Sequence, residues 1–167
     1  MKDMILNQTR IPRDKWRYGF RSSAATGCGW IATLNAMILL GKEEEPERLI
    51  RFYHWALPLI NGNCGTFIGS IWLYFVLRGY RVDFGFRRSS MDKMVRDSDV
   101  CILFYCWRSR RSVGAHYVTV TCKDGEFIGF NTYTNSTSPD TYGDSLAGFL
   151  QKRKYFFPIL LRIRKKK

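Results

Sequence analysis

Apolar positions recur along this chain in two rhythms, and the change between them falls near Tyr80. Before it the spacing is helical. Cys28 to Leu40 is apolar almost throughout, broken only by Thr33 and Asn35, and Gly41 follows where a left-handed residue closes a helix. A helix that is apolar on all sides belongs inside a domain, so its start at Cys28 is expected to be rigidly held. Glu43-Glu44-Glu45 and Pro46 then suit a helix start, with Leu49, Ile50, Tyr53 and Leu57 at helical spacing for a covering helix. After the turn Asn61-Gly62-Asn63-Cys64-Gly65, the set Phe67, Ile68, Ile71, Trp72 and Phe75 predicts a third helix ending before Gly79.

From Tyr80 onward the runs become short and rich in β-branched and aromatic residues: Tyr80 to Phe84, Val100 to Trp107, His116 to Cys122, Phe127 to Thr132 and Phe156 to Ile163. Helices first and strands second predict an α+β domain with N-terminal helices packed on a C-terminal antiparallel sheet, since a parallel sheet would need the two to alternate. Asp124-Gly125 is a two-residue hairpin signal. With those residues as the loop, Lys123 faces Glu126, Val118 faces Asn131 and His116 faces Tyr133. His116 and Val118 share a face, so Asn131 becomes the diagonal neighbour of His116. A slip of one residue would separate them.

Composition narrows the class. A chain of 167 residues with 46% hydrophobic and 16% aromatic content folds as a single domain with a substantial core. The only strong compositional shift is the basic end, giving a domain over 1–161 and a basic tail over 162–167. The net charge of +13 favours an acidic substrate, nucleic acid or an anionic surface as partner, without specifying a chemistry. No apolar run approaches the ~20 residues of a membrane span, and no export signal is visible. Five cysteines without such a signal read as free thiols in a reduced, cytoplasmic protein.

Those thiols are where chemistry can start. A cysteine nucleophile works as the thiolate, and the N–H groups at a helix start lower a thiol pKa. Cys28 occupies such a start, although a free cysteine there also serves as a small buried apolar residue. His116 supplies a base, and Asn131 on the same face supplies a polar group to orient the imidazole; a solvated surface hairpin is the competing reading.

The residues Thr26-Gly27-Cys28-Gly29-Trp30, Gly114-Ala115-His116-Tyr117-Val118 and Phe130-Asn131-Thr132, in that order, resemble papain-like cysteine peptidases, above all the compact bacterial ones that process bacteriocin leaders. The resemblance implies a papain-like fold, Cys28 as nucleophile, His116 as general base and then acid, Asn131 as orienter, and the Cys28 N–H as an oxyanion donor. It implies no cofactor and no metal, and a peptide or other amide as substrate. Such peptidases place an oxyanion-stabilising glutamine about six residues before the cysteine, where this chain has Ser22. Ser22 or Ser23 is then the expected donor, with Gln8 as a residue that could approach in space.

Other signals weigh less. Cys101 and Cys106 fall five apart in a β-rich run and so would point to opposite faces of a strand, which argues against a zinc pair. Cys64, Cys122 and His54 receive no role. Arg108-Ser109-Arg110-Arg111 is a solvated loop or, beside the cleft, a contact for an acidic substrate. Arg87-Arg88 and the basic end keep nucleic acid open as a partner, with no accompanying motif. Two functions therefore follow: a thiol-dependent peptidase forming an acyl-enzyme on Cys28, or a basic binding module on the same fold. The oligomeric state is not legible.

Overall fold

The structure, a computed structural model, describes residues 4–56, 65–110 and 112–166. Leu57, the turn residues Asn61 to Cys64, and Arg111 of the basic cluster lie outside the described residues. In chain order the elements are a single 3-10 turn at Gln8–Arg10, β1 (Arg17–Tyr18), β2 (Arg21–Ser22), α1 (Ser23–Thr26), α2 (Cys28–Leu39), α3 (Pro46–Trp55), α4 (Ile68–Leu77), β3 (Arg81–Gly85), α5 (Arg88–Arg96), β4 (Val100–Arg108), β5 (Val113–Lys123), β6 (Glu126–Phe130), β7 (Asp140–Gly143), α6 (Leu146–Lys152) and β8 (Phe156–Arg164). β1 and β2 form a small ribbon; the main sheet is antiparallel in the order β3-β8-β4-β5-β6-β7.

The helical spacing before Tyr80 is realised as α2, α3 and α4 on one face of that sheet. Trp30, Ile31, Leu34 and Met37 of α2 are buried against Ile102, Tyr117, Leu161 and Ile163. The Thr119 hydroxyl, donating to the Ala32 carbonyl at 2.8 Å, fixes α2 on β5. Gly41 has φ of 75°, the left-handed closure its position requires. Glu44 does more than favour a helix start. Its buried carboxylate accepts from the Tyr74 hydroxyl at 2.5 Å and pairs with Arg78 at 3.3 Å, which ties the approach to α3 onto α4.

The opposite face carries a second core, in which α5 and α6 cover Cys101, Leu103, Val118, Val120 and Leu160. α6 carries Leu146, Phe149 and Leu150 at helical spacing but is only seven residues long. α5 buries only Met91 and Val95, so little hydrophobic pattern marks it. A polar contact joins the two: Asp92 of α5 accepts from Ser145 Oγ at 2.9 Å and the Ala147 N–H at 3.1 Å, capping α6. The strand expected over Phe156 to Ile163 is β8, one residue longer. Arg162, Ile163 and Arg164 are strand residues, Ile163 is buried, and both arginines pair with Asp83 on β3 at 2.9 and 2.8 Å. Only residues from Lys165 onward lie beyond β8.

Candidate active site

Cys28 is the first residue of α2, directly after the turn that ends α1. Its flanking glycines are required by close approach. A Cβ at Gly27 would lie 2.5 Å from the Ser23 carbonyl oxygen, and one at Gly29 would lie 2.4 Å from the Thr66 Cβ. Thr66 accepts from the Tyr117 hydroxyl at 2.9 Å through its carbonyl, and its hydroxyl bonds Tyr18 at 3.2 Å, so two tyrosines and a threonine enclose the thiol. Cys28 is only 9% exposed. Burial pushes its pKa up, and the N–H groups of Tyr117, Gly29 and Cys28 itself, which favour the thiolate, offset this only in part.

His116 stands on β5 opposite Tyr105 of β4, with the two rings edge to face at 6.0 Å. Its Nε2 lies 2.6 Å from the backbone carbonyl of Asn131. Burial lowers the imidazole pKa, and the bond to that carbonyl works in the opposite direction without cancelling it. A carbonyl oxygen can only accept, so Nε2 carries the hydrogen and the neutral ring presents Nδ1 as its free lone pair. No hydrogen bond joins Cys28 to His116. Tyr117, the next residue of β5, belongs to the same buried cluster as Cys28.

The hairpin register is the expected one from Lys123↔Glu126 to Thr119↔Phe130. There the ladder ends. Asn131 has φ of 65°, outside the extended range, so Val118 and Asn131 do not pair and the chain turns away. The turn aims the Asn131 carbonyl, rather than its side chain, at His116. The side-chain amide of Asn131 binds Gln8 instead: Oδ1 accepts from the Gln8 N–H at 2.9 Å, and Nδ2 donates to Gln8 Oε1 at 3.1 Å.

Ser22 ends β2 and makes no side-chain cap for α1. Like Cys28, it does not line the cleft. Ser23 is buried and committed elsewhere, donating to the Trp16 carbonyl and accepting from Trp30 Nε1 at 3.1 Å. Gln8 does line the cleft, with its amide Nε2 donating to the Ala24 carbonyl at 3.1 Å.

The cleft, of about 480 Å³, has His116 and Asn131 in its wall. Asn7, Gln8, Thr9, the aromatic residues Tyr105, Trp107, Tyr133 and Tyr155, and Arg108 also line it. Apart from Gln8 and Arg108, these residues had no signal in the sequence, because strand spacing alone does not tell which tyrosines end up beside a histidine. The other described thiols, Cys101, Cys106 and Cys122, do not line the cleft. Cys101 is in the far core, its pKa pushed up to about 12 mainly by burial, and the Cys122 sulfur accepts from Arg96 at 3.5 Å. Cys64 lies outside the described residues. His54 accepts the Gly19 N–H at 2.8 Å, away from the cleft.

No family model matches the chain, and no curated protein matches it. Solved structures do. The peptidase domain of Streptococcus ComA, a bifunctional ABC transporter of a quorum-sensing pathway, is similar with a TM-score of 0.54 at 11% identity, over 83% of this chain and 91% of that one. A double-glycine-motif protease from an AMS/PCAT transporter, solved with its leader peptide, has a TM-score of 0.55 at 11% identity, over 94% and 96%. The Pseudomonas avirulence protein AvrPphB has a TM-score of 0.44 at 11% identity, over 81% and 89%. The first two establish the architecture as a papain-like α+β fold.

Proposed function

We propose that this protein is a thiol-dependent peptidase that forms an acyl-enzyme on Cys28. One observation carries the reading: Nε2 of His116, a residue of the cleft wall, is occupied by the Asn131 carbonyl, which leaves Nδ1 as its unprotonated nitrogen. In this mechanism Nδ1 takes the thiol proton as sulfur attacks the scissile carbonyl carbon. The resulting oxyanion is held by the Cys28 N–H, and Nδ1 returns the proton to the leaving amine. Water then attacks the thioester with the same nitrogen as base, releasing the acid and restoring the thiol.

Gln8 takes the oxyanion role in place of Ser22. Its Nε2 has two hydrogens and only one is used by Ala24, so a donor remains for the oxyanion. Asn131 orients His116 through its main chain and Gln8 through its side chain. No metal or cofactor enters the scheme.

The substrate follows from the cleft and from one neighbour. Polar amides and four aromatic rings in its wall suit an extended peptide, and the net charge of +13 favours an acidic one. Because the AMS/PCAT protease acts at a double-glycine motif, acidic peptides cut after Gly-Gly are the first to test. Mass spectrometry of such peptides incubated with the protein should show cleavage that Cys28→Ala abolishes. Cleavage that survives the substitution, or no cleavage of any peptide in a broad library, would sink the assignment.

A second reading draws on the burial of Cys28, its raised pKa and the lack of a hydrogen bond to His116. On that reading the fold is a basic binding module for an acidic partner or nucleic acid. An inert Cys28 together with salt-sensitive nucleic-acid binding would favour it.

A further inference from the structure

A polar part of the cleft wall is made by chain that belongs to no sheet. Residues 5–9 cross the start of the domain as a strap, and their main-chain polar groups need partners that a ladder would otherwise supply. Side chains supply them. Asn35 Oδ1 accepts from the Ile5 N–H at 3.0 Å, and its Nδ2 donates to the Ile5 carbonyl at 2.9 Å. Asn131 grips Gln8 in the same two-point manner. Between these grips, Asn7 Nδ2 reaches the Thr134 carbonyl at 2.5 Å, while its Oδ1 accepts from the Thr9 hydroxyl at 2.6 Å.

Asn35 is the telling member. It is 0% exposed, in the middle of a helix whose neighbouring residues Leu34, Ala36 and Met37 are buried and apolar. An amide in such a place is costly unless both of its ends are bonded, and both ends are used on Ile5 alone. The packing of α2 has no other use for it.

We propose that Asn35 is a positioning residue of the cleft: by gripping the Ile5 backbone it fixes the strap of residues 5–9, so that Asn7, Gln8 and Thr9 form the wall that receives an extended peptide. The inference rests on the peptidase reading and deepens it. Asn35 acts on how the peptide is held, and the intrinsic reactivity of the Cys28 sulfur does not depend on it.

Two electrophiles separate these effects. Iodoacetamide reports the thiol alone, whereas a peptidyl vinyl sulfone ending in Gly-Gly must first occupy the cleft before the Cys28 sulfur adds to its terminal vinyl carbon. In Asn35→Leu, which keeps the apolar volume, labelling by the vinyl sulfone is expected to slow roughly 10- to 100-fold, the range for lost positioning. Iodoacetamide labelling should stay within about twofold, and hydrogen-exchange protection of the Ile5, Gln8 and Thr9 amides should fall about tenfold or more. Thr33→Val serves as the control. It removes a buried hydroxyl bonded to Tyr53 and the Gly29 carbonyl in the same helix, so it should lower stability while leaving the ratio of the two labelling rates unchanged.

Strap amides as protected as in the parent, or both electrophiles slowed by one common factor, would overturn the inference. Should Asn35→Leu fail to fold, Ile5→Pro deletes the N–H from the strap side without touching α2, and the same split between electrophiles is required. A parent protein never labelled by the vinyl sulfone counts against the peptidase reading. Exchange at the strap amides then decides the role of Asn35 by itself, since amides unmoved by Asn35→Leu refute it.

Discussion

The two sides of the cleft are held by different physics. The side bearing His116 is continuous with the sheet and α2, where Cys28, Trp30, Ile31, Leu34, Ile102 and Tyr117 share one buried cluster. The other side is the strap of residues 5–9, held mainly by the side-chain amides of Asn35, Asn131 and Asn7. Core packing is dense and fails only when volume is lost, at a cost of several kcal/mol. A strap gripped by a few hydrogen bonds, each worth about 1 kcal/mol net, opens locally at far smaller cost. The proposed nucleophile and base thus sit in the stiffer half, and the proposed oxyanion amide of Gln8 sits in the half that can loosen.

The largest effect expected from this contrast is chemical. Cys28→Ala should remove peptide cleavage by a factor of at least about 10³ while the thermal midpoint changes little, as read by turnover and calorimetry on one sample. Leu34→Ala, in the stiff half, should cost about 2–5 kcal/mol in denaturant unfolding. A loss below about 1 kcal/mol would mean that α2 is not the rigid side. Gln8→Ala should lower turnover by roughly 10²–10³, the usual cost of an oxyanion donor, with unfolding free energy nearly unchanged, whereas Ser22→Ala should leave turnover as it is. The reverse ranking of Gln8 and Ser22 would return the oxyanion role to the serine.

A smaller effect separates the two tasks of Asn131. Asn131→Gly keeps the left-handed backbone and the carbonyl on His116 but removes the grip on Gln8. It should therefore loosen the strap in hydrogen exchange and reduce turnover about tenfold, with the pH profile of Cys28 labelling unchanged. A shifted profile would show that the side chain acts on the imidazole after all.

The smallest effect is in pH dependence. Burial lowers the His116 pKa, so the folded protein binds that proton less readily than the unfolded chain. Its contribution to stability is complete above the ordinary imidazole value of about 6.5 and is lost as pH falls through the lowered folded value. His116→Gln should flatten this part of a plot of unfolding free energy against pH, and an unaltered slope would argue that the ring is solvated. For Cys28 the shift is upward, so iodoacetamide labelling should climb with pH beyond the ordinary thiol range of about 8.5. A rate that is flat between pH 5 and 8 would indicate a thiolate–imidazolium pair instead.

Much of the helical layer could be read from spacing, because a helix as apolar as Cys28–Leu39 has nowhere to lie except inside. Asp124-Gly125 likewise set the β5–β6 register through local turn chemistry. α5 escaped notice because it buries only Met91 and Val95, and α6 because its helical spacing of Leu146, Phe149 and Leu150 spans little more than one turn; a polar cap on Asp92 joins them. The boundary drawn at residue 162 followed charge alone, yet Arg162 and Arg164 are neutralised across the strand pair by Asp83, a partner distant in sequence.

For the site itself, the sequence by itself determined which residues are chemically able: a cysteine at a helix start between glycines, a histidine on a strand, and an asparagine beyond a hairpin of fixed register. Only the tertiary structure decided how they are used. A single left-handed residue at the end of β6 turns the Asn131 carbonyl toward His116 and frees its side chain for Gln8. That choice depends on the strap, which Asn35 and Asn131 hold from positions far away in the chain. Hydrogen bonds between such distant segments leave no period or spacing in the sequence, so they become visible only once the chain has folded.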